Sequence, residues 1–382
     1  MPSMTAPLAG VTILDLTHVL AGPYASHTLA DLGAKVIKVE RPILGDDTRA
    51  FPPMKGGKSA YFATLNAGKS SIALDLKDSE DRGIFDAILD RSDVLLENYR
   101  PGVMERLGYG WDALHTRLPR LIYGAVSGYG HTGPDAALPA YDMVVQARGG
   151  VMAITGAEGG PPVRVGASIG DIVAGMFLAQ GVLAALYARE KSGFGAKVDI
   201  SMLDGQLAIQ EHAIAITAAT GIPPHATGAR HPTITPFSTY AASDGQVVIA
   251  AGNDAMFVHL CKVLALPIAA DDPRFASNPA RCAHHAELAQ VLETRLKTNT
   301  AAYWVVVLTE AGLPSALVAD MGAVLRDRQL LARQMVLPIA GDEGFLAAGN
   351  PIKLSTLPEI TARPAAPDLD GDRAEILRWL GR

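Results

Sequence analysis

The 382-residue sequence predicts a doubly wound α/β domain joined to a smaller α+β domain, on three observations. Strand-like and helix-like segments alternate from residue 11 to residue 126. The first two strands are joined through one helix, which makes a parallel crossover. Composition then shifts at residues 221–228 (GIPPHATG), which read as a linker, and a different pattern follows.

In order, residues 11–16 (VTILDL) read as a buried strand, Pro23 to Leu32 as a helix stopped by Gly33, and residues 35–40 (KVIKVE) as the second strand. Strand 71–76, helix 80–91, strand 94–97, a short helix at 102–107 and strand 121–126 continue the alternation. After a long apolar helix come strand 196–200 and one helix over 202–219. Ser243-Asp244-Gly245 between two short strands signals a hairpin, and helices follow at 255–264, 284–297 and 301–311. These bounds place a large domain over residues 1–220 and a small one over 226–328. A return segment, 329–382, ends in a short helix that should pack on the large domain.

Composition narrows the function. With 49% hydrophobic residues the chain can bury a large core, and 33 basic against 39 acidic residues give a net charge of −6, with no general attraction to nucleic acid or anionic membrane. A polyanionic ligand therefore needs a local basic pocket. Cys261 and Cys282 are too few for a disulfide framework and lack metal-ligand spacing, which points to a reducing, cytoplasmic setting. Residues 1–9 lack the basic and apolar regions of a signal peptide. His284-His285 has no third ligand at a suitable spacing, and Ser127 lacks a nucleophile-elbow context.

The stretch that carries most chemistry is residues 165–171 (VGASIGD), followed by the apolar run 172–188. Asp171 stands where a helix N-cap belongs, before a helix with no ionisable side chain except Tyr187 until Arg189. Burial of that helix, glycines at 166 and 170, and the lack of a neighbouring cation describe a carboxylate held ionised by backbone N–H groups and the helix dipole, yet open on one side. A carboxylate nucleophile is presented in this way; a plain capping acid is the alternative. Residues 128–133 (GYGHTG) match G-x-G-x-x-G, but they follow the last strand of the series, and Pro134-Asp135 with a Pro139-containing loop follow in place of a helix. The first crossover has no such motif, which argues against a dinucleotide site.

Several blocks in register resemble one family. Residues 8–23 (LAGVTILDLTHVLAGP), 32–41 (LGAKVIKVER), 66–72 (NAGKSSI), 97–102 (ENYRPG), 166–175 around Asp171, 230–232 (RHP), Asp244-Gly245 and 272–275 (DPRF) are similar to the class III CoA-transferases, also called the CaiB/BaiF or formyl-CoA transferase family. The resemblance implies a Rossmann-like large domain, a smaller lobe and a homodimer of interlocked subunits. It implies Asp171 as the catalytic aspartate. For coenzyme A it implies Leu20, Ala21, Arg41, Leu74, Lys77, Asn98, Tyr99, Arg100, Arg106, Tyr141 and Asp142, with Tyr61 and Tyr141 facing the acyl and acid groups. Arg41, Lys77, Arg100 and Arg106 also follow strand ends or helix starts on one side of the predicted sheet, where cations would meet the CoA phosphates; solvated surface charge is the other reading.

The implied partners are an acyl-CoA and a small carboxylic acid, with no metal or permanently bound cofactor. Leu20 and Pro139 replace the glutamine and lysine expected in formyl-CoA transferase, and the glycine-rich stretch expected between residues 228 and 240 is missing. A C4 or C5 dicarboxylate (succinate, itaconate, mesaconate or citramalate) suits these positions better than oxalate. Arg164 could hold a second carboxylate or lie outside the site, and Glu211-His212 could face either a dimer core or the pocket. Two other functions stay open. An α-methylacyl-CoA racemase would need a histidine where Tyr141 stands; His131, in the glycine loop, reads as solvated. A non-catalytic CoA-binding protein would use Asp171 as a cap only.

Overall fold

The computed structural model describes residues 6–266, 271–341 and 344–382. Of the N-terminal stretch read for targeting signals, residues 1–5 lie outside the described residues. Two compact units emerge: Met1–Met152 with Arg164–Pro223 and Asp327–Arg382, and Ala153–Val163 with Pro224–Arg326. Residues 153–163 thus group with the smaller unit, whereas the sequence alone ran the large domain unbroken to residue 220.

The first unit is built on a six-stranded sheet, all of whose pairings are parallel. Its strands are β1 (Thr12–Asp15), β2 (Lys35–Glu40), β3 (Ser70–Ala73), β4 (Val94–Glu97), β5 (Ile122–Ser127) and β6 (Lys197–Ser201), in the order β3-β2-β1-β4-β5-β6. The order reverses between β1 and β4, and doubly wound sheets take ligands in the crevice at such a switch point.

Each strand alternates its side chains between two covered faces. On one face α1 (Ala21–Asp31) places Ala25 and Leu29 against Ile13, Leu96 and Ile122. On the other, α3 (Ser79–Leu89) packs Ile84, Phe85 and Ile88 against Leu14, Ile37 and Leu95. Each fully buried Ile, Leu or Phe contributes ~2 kcal/mol, so both faces are held mainly by this packing. Between these helices lies the short α2 (Ala60–Asn66), capped by the Ser59 hydroxyl, and after β4 come α4 (Val103–Leu107) and α5 (Trp111–Arg117). The C-terminal helix, Arg373–Leu380, adds Ile376 and Leu380 to the α3 side.

After β5 the chain forms α6 (Asp142–Arg148), in a region the sequence reads as a loop, and then α7 (Ile169–Ser192). Length and composition would let α7 cross a membrane. Here Ala174, Leu178 and Val182 pack against α1 and the sheet. The helix is not buried all round, as expected from its apolar run, for Met176 and Tyr187 are exposed. The single helix expected over 202–219 is two, α8 (Met202–Ala208) and α9 (Glu211–Thr220). They part at Gln210, whose amide donates to the Gly149 carbonyl at 2.6 Å and the Gln206 carbonyl at 2.7 Å, tying the break to the end of α6.

The second unit has a three-stranded antiparallel sheet of β7 (Phe237–Ala241), β8 (Gln246–Ala250) and β9 (Ser315–Leu317), with β8 central. Helices α10 (Asp254–Val263), α11 (Asn278–Ala283), α12 (His285–Leu296) and α13 (Ala301–Glu310) surround it. Phe257, Leu292 and Trp304 centre its core. In the hairpin signalled by the sequence, the Asp244 carboxylate accepts from the Ala301 N–H at 2.8 Å and so fastens the start of α13.

Candidate active site

At the switch point the chain leaves β1 through a strained turn. Val19, a β-branched residue, takes φ 66°, in the left-handed region that such residues rarely adopt. Its neighbour His18 is locked to the end of β4. The His18 N–H donates to Asn98 Oδ1 at 2.9 Å, and the Asn98 amide donates to the His18 carbonyl at 2.8 Å. This reciprocal pair spans the two strands at which the order reverses.

Around it lies a cavity of about 330 Å³. Leu20 and Ala21 line it from the start of α1, Asn98, Tyr99 and Arg100 from the end of β4, Pro139 and Tyr141 from the loop before α6, and Asp171 from α7. A smaller cleft beside it shares His18 and Tyr99 and reaches Arg41 and Asp47. The fold therefore gathers Asp171, Leu20, Ala21, Asn98, Tyr99, Arg100 and Tyr141 at one site, with Arg41 next door. Arg100 stands exposed at the rim, paired with no carboxylate among the described residues. Arg41 is already engaged by Asp47 and by the Gly45 carbonyl.

Five expected residues do not line either space. Leu74 is buried, its N–H donated to the Glu40 carbonyl, and Lys77 and Arg106 are exposed. Tyr61, half-buried in the first turn of α2 against Phe51, feels the negative fields of Asp171, Asp46 and Asp142. Asp142 is buried in the first turn of α6. Its Oδ1 accepts from the Gly170 N–H and its Oδ2 from the Gln146 amide, both at 2.8 Å. Gln146 in turn accepts from the Val165 N–H at 2.9 Å. Asp142 and Gln146 thus clasp both ends of the segment leading to Asp171, a role not visible in the sequence. Arg164 lies 3.9 Å from Asp142 and outside the cavity lining, and Glu211-His212 begins α9, also outside it.

Asp171 itself departs from its expected place. The helix begins at Ile169 with Ser168 as N-cap, so Asp171 is the third helical residue and not the cap. The Gly170 N–H, a natural donor to an oxyanion, is spent on Asp142. Burial, with the Asp142 carboxylate nearby, pushes the Asp171 carboxyl up to about 7, against the expectation that helix-start N–H groups keep it ionised. A carboxyl shifted this far in the wall of a cleft makes Asp171 a candidate functional group. Gly170 sets its place: a Cβ there would stand 2.7 Å from Val145 Cγ2 and 3.0 Å from Asp142 Oδ1. Gly170→Ala is expected to lower kcat about 10-fold or more by shifting the start of α7, since misplacement of about 1 Å can cost about 10²-fold. Steady-state kinetics beside a melting curve check it.

A buried ionic network adjoins the smaller cleft, which Thr17, Lys38 and Asp46 help to line. Lys38 donates to the Thr17 carbonyl at 2.6 Å and pairs with Asp46 at 2.9 Å, while Lys69 pairs with Asp15 at 3.2 Å. Burial would raise the Asp15 carboxyl, but Lys69 and Lys38 outweigh it and hold it at about 2. His131 departs from its expected solvation, since its side chain is only 7% exposed and sits against Glu97, outside the cavity lining. Among the described residues no group of three or more His, Cys, Asp or Glu could hold a metal ion. Beyond the network, sequence reasoning missed His18 as part of the site. A polar residue in the turn that leaves the first strand was the available signal.

Known proteins resemble this chain over nearly its whole length. An acetyl-CoA:oxalate CoA-transferase from Acetobacter aceti is 45% identical over 371 residues, 97% of this chain and 95% of that protein. A succinyl-CoA:mesaconate CoA-transferase from Haloarcula hispanica is 38% identical over 389 residues, 98% of this chain and 96% of that one. The crystal structure of a CaiB/BaiF family protein from Brucella suis superposes with a TM-score of 0.87 at 34% identity, covering 98% of this chain and 99% of that one. The model of CoA-transferase family III matches residues 8–373, and the chain belongs to that family.

Proposed function

We propose that this protein moves coenzyme A from an acyl-CoA donor to a short dicarboxylic acid, with Asp171 as the nucleophile. The observation that carries the proposal is a carboxylate poised near neutrality in the wall of a cavity at the switch point, with Arg100 at its rim paired with no carboxylate among the described residues. An Asp171 oxygen attacks the donor carbonyl carbon, the C–S bond breaks, and CoA leaves as the thiolate from a mixed anhydride. The thiolate then attacks the Asp171 carbonyl of that anhydride and releases the donor acid, leaving an aspartyl-CoA thioester. The acceptor carboxylate displaces CoA from Asp171 to give a second anhydride. Thiolate attack on the acceptor carbonyl forms the new acyl-CoA and frees Asp171. Thioester energy is kept at every step, provided water stays out.

Acetyl-CoA and succinyl-CoA are the donors of choice, and the acceptor falls between oxalate and the C5 diacids. Leu20 in the wall and Pro139 in place of a cation favour the longer, partly apolar acids, while the name of the 45% identical relative argues for oxalate. Coupled assays of both donors against oxalate, succinate, mesaconate, itaconate and citramalate choose among them. Hydroxylamine during turnover is expected to modify the Asp171 peptide, read by mass spectrometry. An unmodified peptide in an active enzyme sinks the covalent route.

The working form in this proposal is a cytoplasmic, interlocked homodimer. Support comes from apolar surface without cover in one chain: Met176 and Tyr187 on α7, Leu207 on α8, and Ile214 on α9, a helix with no buried residue. Light scattering on the purified protein is expected to give twice the chain mass.

A further inference from the structure

The glycine loop that imitates a dinucleotide fingerprint has no part in the chemistry above, yet it delivers a side chain to Glu97, the residue directly before the Asn98–Arg100 rim. Glu97, the last residue of β4, is buried beneath the rim. One carboxylate oxygen accepts from the Tyr99 N–H at 2.7 Å, and the other from the Tyr123 hydroxyl at 3.1 Å. The same second oxygen lies 3.6 Å from His131 Nε2. His131 Nδ1 is 3.0 Å from the Lys197 ammonium on β6. An ammonium can only donate, so Nδ1 accepts and the ring proton sits on Nε2, which is buried without a hydrogen-bond partner among the described residues and has the Glu97 carboxylate as a near neighbour, beyond hydrogen-bond distance. The His131 N–H donates to the Asp199 carboxylate at 3.0 and 3.2 Å, which fixes the loop to β6.

We infer that Lys197, His131 and Glu97 form a positioning chain that holds Tyr99, and with it the Asn98–Arg100 rim, in the conformation that binds the CoA ester. The inference rests on the proposed function, in which that rim meets CoA. Tyr99 lines both the main cavity and the neighbouring cleft, and its ring lies 5.6 Å from that of His18. A shift of its backbone therefore reaches both spaces.

The chain is also sensitive to protons. Burial pushes the Glu97 carboxyl up to about 7; Glu105 on α4 adds to the rise, and the Tyr99 N–H, the Tyr123 hydroxyl and Lys197 oppose it. Burial and Lys197 lower His131, with Asp199 and Glu105 acting the other way. Below neutrality Glu97 gains a proton, its bond from the Tyr99 N–H loses charge assistance, and the rim loosens.

Binding of CoA by calorimetry at about pH 6 and about pH 8, together with the KM for acyl-CoA, tests the inference in three variants. His131→Ala is expected to raise Kd and KM about 5- to 10-fold at the higher pH with kcat nearly kept, and His131→Gln, whose amide fills the place of the ring and offers an N–H toward Glu97, to restore most of the affinity. Glu97→Gln keeps an acceptor for Tyr99 but cannot titrate. Its Kd should therefore change less between the two pH values than that of the wild type. Equal CoA affinity and equal pH dependence in wild type, His131→Ala and Glu97→Gln would overturn the positioning role. A wild type that binds no CoA would overturn the functional reading instead.

Discussion

Asp171→Asn is expected to lower CoA transfer by at least about 10³-fold, because the amide cannot form the anhydride and only residual binding effects remain. The same variant should be more stable than the wild type at pH 8. The sign follows from linkage: the folded-state carboxyl sits near 7, above the ordinary 3.8 of an unfolded aspartate. Between those values the native state binds a proton that the unfolded state lacks, so its stability falls as pH rises from about 4 to about 7. Asparagine removes that penalty. Allowing for partial solvent contact and for the opposing helix N-terminus, the gain above pH 7 is ~2 kcal/mol. The kcat/KM of the wild type should rise with pH and level off above about 7, since only the ionised form attacks. Two measurements check this: a pH–rate profile of the wild type, and melting curves of both proteins at pH 5 and pH 8. Undiminished transfer by the asparagine variant would end the covalent reading.

The strands of the sheet were open to sequence reading because each is a short, apolar-rich run bounded by polar or turn residues. β2 and β4 occupy the very residues that the alternation marks, Lys35–Glu40 and Val94–Glu97. What the sequence hides are ties between distant residues. The break between α8 and α9 depends on Gln210 reaching a carbonyl 61 residues away, and local periodicity carries no trace of it. Asp171 stood out as a lone acid before an apolar run. Its raised carboxyl did not, because the buried Asp142 that contributes lies on another helix. His131 read as solvent-facing for the same reason: Lys197 is 66 residues further on, and Glu97 is 34 residues back. Side chains that act through long-range partners are the ones that local pattern misjudges.

Lys69→Met should be the most damaging substitution away from Asp171, at ~3–5 kcal/mol, because it leaves a buried carboxylate without its partner. Lys69 is fully buried, and its ammonium donates to Ser26 Oγ at 2.7 Å and Asn66 Oδ1 at 2.9 Å besides pairing with Asp15. Methionine fills the volume, so the loss reports charge and hydrogen bonds more than packing. Asp15 in turn accepts from the Thr17 N–H at 2.9 Å, directly before His18, so the damage should reach the cavity and raise KM for the acyl-CoA. Wild-type Asp15 stays ionised down to about 2, below the unfolded 3.8, so its contribution is present above about pH 4 and is lost as pH falls through 2. In Lys69→Met the largest lowering influence is gone and burial lifts the Asp15 carboxyl. The variant's deficit against the wild type should then shrink as pH falls from about 7 to about 4, where its Asp15 can take up a proton. Adding Asp15→Asn should recover part of the loss at pH 7, since the orphaned charge is removed. Denaturant unfolding of the single and double variants at both pH values measures each step. A deficit independent of pH and of residue 15 would show that Lys69 acts through packing alone.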